Sequence, residues 1–182
     1  MTIDGFCDHT VMLPDEEIHQ HYTEQLNEAD IILFGRITYQ LMQFWQTLVK
    51  NPSGEKSMDD FAMAIDKIPK MVFSHKLKNA DPVDLGWDSA KLASKPIEEE
   101  VSELRQSRDG GSKNILIGSR SLIIQLMKLN LIDEYQLCVH PVVVGSGLPL
   151  FENINDRTVL KLIKTKAFSG GAIILYYEPQ NE

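Results

Sequence analysis

Two short stretches of this chain share one pattern, and that pattern limits the fold more than any other feature. In "ILFGRITYQL" (32–41) an apolar run stops at Gly35 and passes at once into Arg36, Thr38 and a helix-like segment. In "ILIGSRSLIIQL" (115–126) the same passage occurs at Gly118. An aliphatic run closed by glycine reads as a buried strand, and apolar residues three or four apart read as a helix. Repeated strand-to-helix passages belong to α/β chains, whose strands are joined by helices.

The remaining segments extend this reading. "PDEEIHQHYTEQLNE" (14–28) predicts a helix with Pro14 near its first turn, acidic residues at its positive end, and Ile18, Tyr22, Leu26 and Ala29 at helical spacing. Strand 31–34 follows, then a helix over 39–49 with Leu41, Phe44, Trp45 and Leu48 toward the core. Residues 50–60, "KNPSGEKSMDD", read as a mobile loop before a short helix over 61–67. Strands are expected at 69–74, 90–94 and 114–118, with a helix over 97–107 and another after Gly118. The last third changes character. Strands are expected at 135–145, 158–167 and 172–179, with Gly170-Gly171 as a hairpin turn. Alternating β and α first, antiparallel β last, implies a mixed sheet flanked by helices. The opening "MTIDGF" reads as the end of a strand with a turn at Asp4-Gly5 and almost nothing before it.

At 182 residues the chain fits one domain, 1–182, with room for a core that needs neither metal nor disulfide. A formal net charge of -8 argues against a nucleic-acid surface. Two cysteines without a CxxC spacing indicate neither a disulfide framework nor a zinc ribbon. No signal peptide is visible, and no apolar run approaches the ~20 residues of a membrane helix. A cytoplasmic protein is expected, with no membrane partner.

The two glycine junctions suit an anion. The first amides of a helix have no intrahelical acceptor, the helix dipole adds positive charge, and glycine lets a phosphate approach the backbone. Gly118-Ser119-Arg120-Ser121 adds hydroxyls, and Arg36 adds a guanidinium able to pair two phosphate oxygens. The same features also occur as ordinary capped helices, and no GxGxxG is present. From the residues alone the reading stops at an α/β domain with two anion sites.

"TIDG" (2–5), "GRITY" (35–39), "VFSHKL" (72–77), "ILIGS" (115–119) and "LIDEYQLCVHPVVVGSGLPLF" (131–151) occur in a telling order. They resemble the dihydrofolate reductase-like superfamily, in the bacterial branch akin to the reductase domain of the riboflavin-biosynthesis protein RibD. The resemblance implies a three-layer α/β/α fold with a central mixed sheet and antiparallel C-terminal strands. It also implies NADPH as cofactor and a homodimer. The implied activity is reduction of a small pterin- or aminouracil-like heterocycle, with an aminouracil-sugar phosphate reductase as the named case. The implied cofactor residues are Gly35, Arg36 and Thr38; Ser74, His75 and Lys76 at the 2′-phosphate; Gly118, Ser119, Arg120 and Leu122 at the pyrophosphate; and Gly145 and Gly147 near the nicotinamide. A non-catalytic nucleotide-binding or sensor protein is the rival.

For the chemistry, Asp4 is expected to orient substrate or relay a proton, against a plain Asp-Gly turn. Asp8, Glu16, His19 and His140 are the candidate substrate contacts, against a solvated loop residue for Asp8 and a packed or hydrogen-bonded histidine for His140. No metal is expected, because His19 and His21, two apart on a helix, point to nearly opposite sides. Trp45 and Trp87 are read as core.

Overall fold

A computed structural model describes residues 1–78, 85–106, 113–154 and 157–180. The chain divides into two compact units, residues 19–126 and residues 1–18 with 127–182.

The first unit is built on a parallel sheet. β1 (Ile31–Gly35) lies between β2 (Lys70–Phe73) and β4 (Ile115–Ile117), with β3 (Ala90–Leu92) outside β2. Register pairs Gly35 with Phe73 and Leu33 with Ile117, so the carboxyl ends of β2, β1 and β4 finish side by side. Parallel neighbours require crossovers. These are α2 (Arg36–Met42), α3 (Phe44–Lys50) and α4 (Lys56–Lys67) before β2, α5 (His75–Lys78) before β3, and α6 (Ile97–Arg105) before β4. α1 (Glu16–Glu28) precedes β1, its first turn capped by Asp15, whose Oδ1 accepts the Ile18 N–H at 2.9 Å. α7 (Arg120–Lys128) follows β4. Phe34, Val72, Ile65, Tyr39 and Trp87 are buried together. Both tryptophans belong to this core, Trp87 buried and Trp45 half-buried against it.

Two expectations fail in this unit. The helix placed at 39–49 is two helices that begin at Arg36 and break at Gln43, whose side-chain amide donates to the Leu85 carbonyl at 3.0 Å. Buried Tyr39 is the inward position of α2. Leu41, two residues on, then faces the other way, and Leu41 and Phe44 are 40% and 55% exposed. The segment 50–60 is also not a loop throughout. α4 begins at Lys56, and the Asp59 carboxylate accepts the backbone N–H groups of Ser53 and Gly54 and the Ser53 hydroxyl, all within 3.1 Å.

In the second unit β7 (Ile173–Pro179) lies between β5 (Tyr135–Val139) and β6 (Leu160–Ala167), all antiparallel, with an irregularity between Leu162 and Lys164. The hairpin turn falls at Gly170-Gly171, where Gly171 has φ +86°. The strand expected over 135–145 stops at Val139. From His140 onward the chain clasps the N-terminus instead. Thr2 bridges His140 in parallel, Phe6 bridges Pro149 in antiparallel fashion, and the N–H groups of Ile3 and Cys7 donate to Val142 and Leu148. The fold is thus α/β, with a parallel sheet and a separate antiparallel one. Among the described residues no helix is long and apolar enough to cross a membrane.

Candidate functional site

Three predicted clusters meet at one edge of the parallel sheet. Ser74, His75 and Lys76 leave β2, Gly35, Arg36 and Thr38 leave β1, and Gly118, Ser119 and Arg120 leave β4. From β1 the chain departs to β2 on one side while β4 lies on the other. That reversal opens a crevice beyond the carboxyl ends, where α/β sheets bind ligands. The two helix starts are tied directly: the Gly35 N–H donates to the Ser119 Oγ at 2.7 Å.

The same bond changes what several residues do. Ser119 is 1% exposed and spends its hydroxyl on Gly35, so it presents no side chain to a phosphate. Gly118 donates its N–H to the Leu33 carbonyl at 3.1 Å, within the sheet. A Cβ on Gly118 would lie 2.6 Å from Phe34 Cε1, so core packing requires this glycine. Leu122 is buried and its N–H goes to the Ser119 carbonyl, which removes it from the pyrophosphate set. Ser121, whose hydroxyl the sequence reading counted at this junction but left out of the cofactor residues, is exposed, its Oγ 3.0 Å from where a Gly35 Cβ would be. The signal for it was the second serine of "GSRS", in the first turn of α7. Arg36 is half-buried, with Nη1 donating to Gln40 Oε1 at 2.9 Å. Thr38 and Arg120 are half-buried. Ser74 caps α5, its Oγ accepting the Leu77 N–H at 3.1 Å, and His75 and Lys76 are exposed.

In the other unit Asp4 does not fit a proton relay. One carboxylate oxygen accepts the Thr2 hydroxyl at 2.6 Å, and the other accepts the N–H groups of Gly145 at 2.7 Å and Val144 at 3.1 Å. The Thr2 hydroxyl, helped by those amides, holds the Asp4 carboxyl below the usual carboxylate range, so it has no proton to give at neutral pH. It acts as a clasp on the Val144–Gly145 loop. Acid should open that clasp. Protection of the Gly145 amide from hydrogen exchange is expected to persist at pH 7 and to fall only as pH drops through the depressed carboxyl pKa. Asp4→Asn should show the low protection at both ends. Gly145 has φ +74° and Gly147 φ +149°, backbone conformations that side chains rarely adopt, so both glycines are conformational requirements of the loop.

The candidate substrate contacts have different surroundings within their own units. Asp8 turns back onto Thr10, accepting its N–H and hydroxyl at 2.8 and 2.7 Å. Glu16 is exposed in the first turn of α1. His19 is half-buried beside the rings of Trp45 and Phe61, at 5.7 and 6.1 Å. His140 is buried, Nε2 standing 3.6 Å from Cys138 Sγ, and burial lowers its pKa. It is a packed imidazole rather than a presented one.

The model of the RibD C-terminal domain matches residues 1–174. The chain belongs to the RibD C-terminal domain family. Within it, YyaP of Bacillus subtilis, itself uncharacterized, is 33% identical over 184 residues, covering 97% of this chain and 90% of YyaP. Solved structures share the fold of this family member at low identity. A Shewanella protein named for riboflavin biosynthesis superposes with a TM-score of 0.71 at 17% identity, covering 100% of this chain and 96% of that one. A pyrimidine reductase-like protein of Corynebacterium diphtheriae gives 0.67 at 16%, covering 100% and 90%.

Proposed function

We propose that this RibD C-terminal domain family member is an NADPH-dependent reductase of a small pterin- or aminouracil-like heterocycle. The observation that carries the reading is the Gly35 N–H to Ser119 Oγ bond. It sets two helix starts side by side at the sheet's switch point, with Arg36 and Ser121 at the rim. These groups fit a dinucleotide's phosphates: a guanidinium for paired oxygens, a hydroxyl, and first-turn amides at positive helix ends. When bound, NADPH supplies the hydride. The chain's own part is to hold. Arg36 and Ser121 hold the pyrophosphate, and exposed Lys76 with Ser74 holds the 2′-phosphate and so favours NADPH over NADH. The names of the structural relatives support reduction of a pyrimidine-type ring.

Titration of NADPH against protein fluorescence tests the reading. Saturable binding is expected, weakened about tenfold in Arg36→Ala through loss of a charge-assisted pair. Lys76→Ala should cost NADPH more than NADH, and equal losses would remove the 2′-phosphate assignment. No saturable change with either nucleotide would sink the proposal.

The locked Asp4 carboxylate favours a second reading, a nucleotide-binding protein without chemistry. Loss of nicotinamide absorbance with dihydropterin, aminouracil or quinone acceptors decides for the reductase. Binding without turnover across that panel decides for the sensor.

A further inference from the structure

The antiparallel sheet of β5, β7 and β6 has one face without a charge. Residues paired across antiparallel strands point to the same side, and neighbours along a strand to opposite sides. Leu175 pairs with Leu137 and Thr165, Ile173 with Val139 and Ala167, and Tyr177 with Leu162, so these share one face. No paired position on that side is ionisable as an acid or base of Asp, Glu, Lys or Arg type. The charged paired residues, Lys161, Lys164, Lys166 and Glu178, stand on the other side, where Lys164 Nζ lies 4.5 Å from the centre of the Tyr176 ring. The Met1 ammonium donates to the Cys138 carbonyl at 2.6 Å. A strand carbonyl points along the plane of its sheet, so this charge stands at the β5 edge and not over the face.

Burial separates the two sides on the central strand. Ile174 and Tyr176, on the charged side, are 0% and 3% exposed, so that side packs on the core. Ile173 is 42% exposed, Leu175 and Tyr177 are half-buried, and Leu162 and the bulged Ile163 of β6 are 50% and 41% exposed. An antiparallel sheet with one side in water normally turns polar residues to it. This one turns aliphatic residues to it. The β6 edge, by contrast, is guarded by a bulge and three lysines, the devices that stop another strand from adding there.

We propose that a second copy of this chain packs on this face, sheet against sheet about a two-fold axis. Charge selects the occupant. At a formal net charge of -8 two copies repel over most of their surfaces, but here they meet with no like charges opposed and none buried unpaired. A two-fold contact uses the same patch on both copies and closes on itself, so the apolar face is covered without leaving a new one. Three strands ~4.8 Å apart, with about seven residues each at ~3.4 Å, make a face of roughly 14 by 24 Å. That is less than the ~800 Å² per partner of a standard interface, so the dimer is expected to be reversible in the micromolar range. The inference does not depend on the reductase reading.

Sedimentation velocity of the full chain from about 1 to about 300 µM tests this. Mass should rise from monomer to dimer across the series, and added salt should not reverse the rise, since no ion pair holds the contact. Leu162→Lys should move the midpoint to at least tenfold higher concentration, because dimerisation would bury an unpaired ammonium. Its melting temperature, read at the monomeric end, should match the parent, since Leu162 is exposed. Ala167→Lys, a second exposed position on the face, should act alike. Lys161→Gln, on the opposite side of the same strand, should leave the midpoint unchanged. A monomer at every concentration, a dimer that both lysine variants leave intact, or one that Lys161→Gln or salt takes apart would each overturn the proposal.

Discussion

Gly118→Ala is expected to destabilise the protein by about 2 kcal/mol, the middle of the range for overpacking a closed core. The added methyl would stand 2.6 Å from Phe34 Cε1 and 3.2 Å from its Cδ1, with Ile32 Cδ1 at 3.5 Å. Phe34 has nowhere to go. It is 1% exposed, tilted against the Tyr39 ring at 6.3 Å, and Tyr39 is fixed by its hydroxyl on the Leu85 carbonyl at 2.5 Å. Relief must come from shifting the start of α7, which also strains the Gly35–Ser119 bond between the two junctions. Urea unfolding measures the loss as a lowered midpoint at unchanged slope. Ser121→Ala, on the exposed rim of the same turn, is the control and should stay within about 0.5 kcal/mol of the parent. Equal stability of the two variants would show that Gly118 is there for ligand approach after all. NADPH affinity then separates the roles: Ser121→Ala should weaken binding while leaving stability alone.

That pair of residues also shows where sequence reading reaches and where it stops. The glycine junctions were legible because apolar runs and their breaks report strand ends, and the parallel sheet did bring both to one edge. Their division of labour was not legible. Which serine of "GSRS" is spent inside depends on the spacing between β1 and β4, a long-range fact with no trace in local pattern. Leu41 and Phe44 were misplaced because the inward face of α2 is set by Tyr39, two residues from Leu41, and the break at Gln43 left no trace in the apolar spacing. The loop at 50–60 looked mobile because Pro, Ser and Gly are turn formers. Asp59, from the following helix, satisfies its amides. Asp4 looked like chemistry because it sits in a recognisable motif, but two of the three partners that lock it, Val144 and Gly145, lie about 140 positions away along the chain. The family likeness located the fold.

The largest pH effect is expected from Lys70, which no motif singled out. It is 1% exposed at the start of β2, and burial pulls its pKa well below the ordinary lysine value, to about 8, despite the partial opposition of the nearby Asp66 charge. Its Nζ donates to the carbonyls of Ile68 at 2.9 Å and Asp66 at 3.1 Å and to Ser89 Oγ at 2.8 Å, and lies 4.3 Å from the centre of the Trp87 ring. Loss of one proton need not break this set. A neutral amine still donates to both carbonyls and accepts from the Ser89 hydroxyl, which otherwise donates to the Asp66 carbonyl at 2.8 Å. The sign then follows from linkage. Below about 8 the folded and unfolded chains both hold the proton, and the folded state bears the full cost of a buried ammonium. Between that value and the unfolded lysine pKa near ~10.4 the unfolded chain holds more protons, so stability rises with pH. The rise due to this residue is about 3 kcal/mol. Other lysines and tyrosines titrate in the same window, so the readout is a difference. Denaturant unfolding of the parent and of Lys70→Met is compared from pH 7 to 10.5. The parent should gain about 3 kcal/mol on the variant across that range, whatever their offset at pH 7. Parallel curves would mean that Lys70 keeps an ordinary pKa, and that its three acceptors and the Trp87 ring stabilise the ammonium as fully as water does.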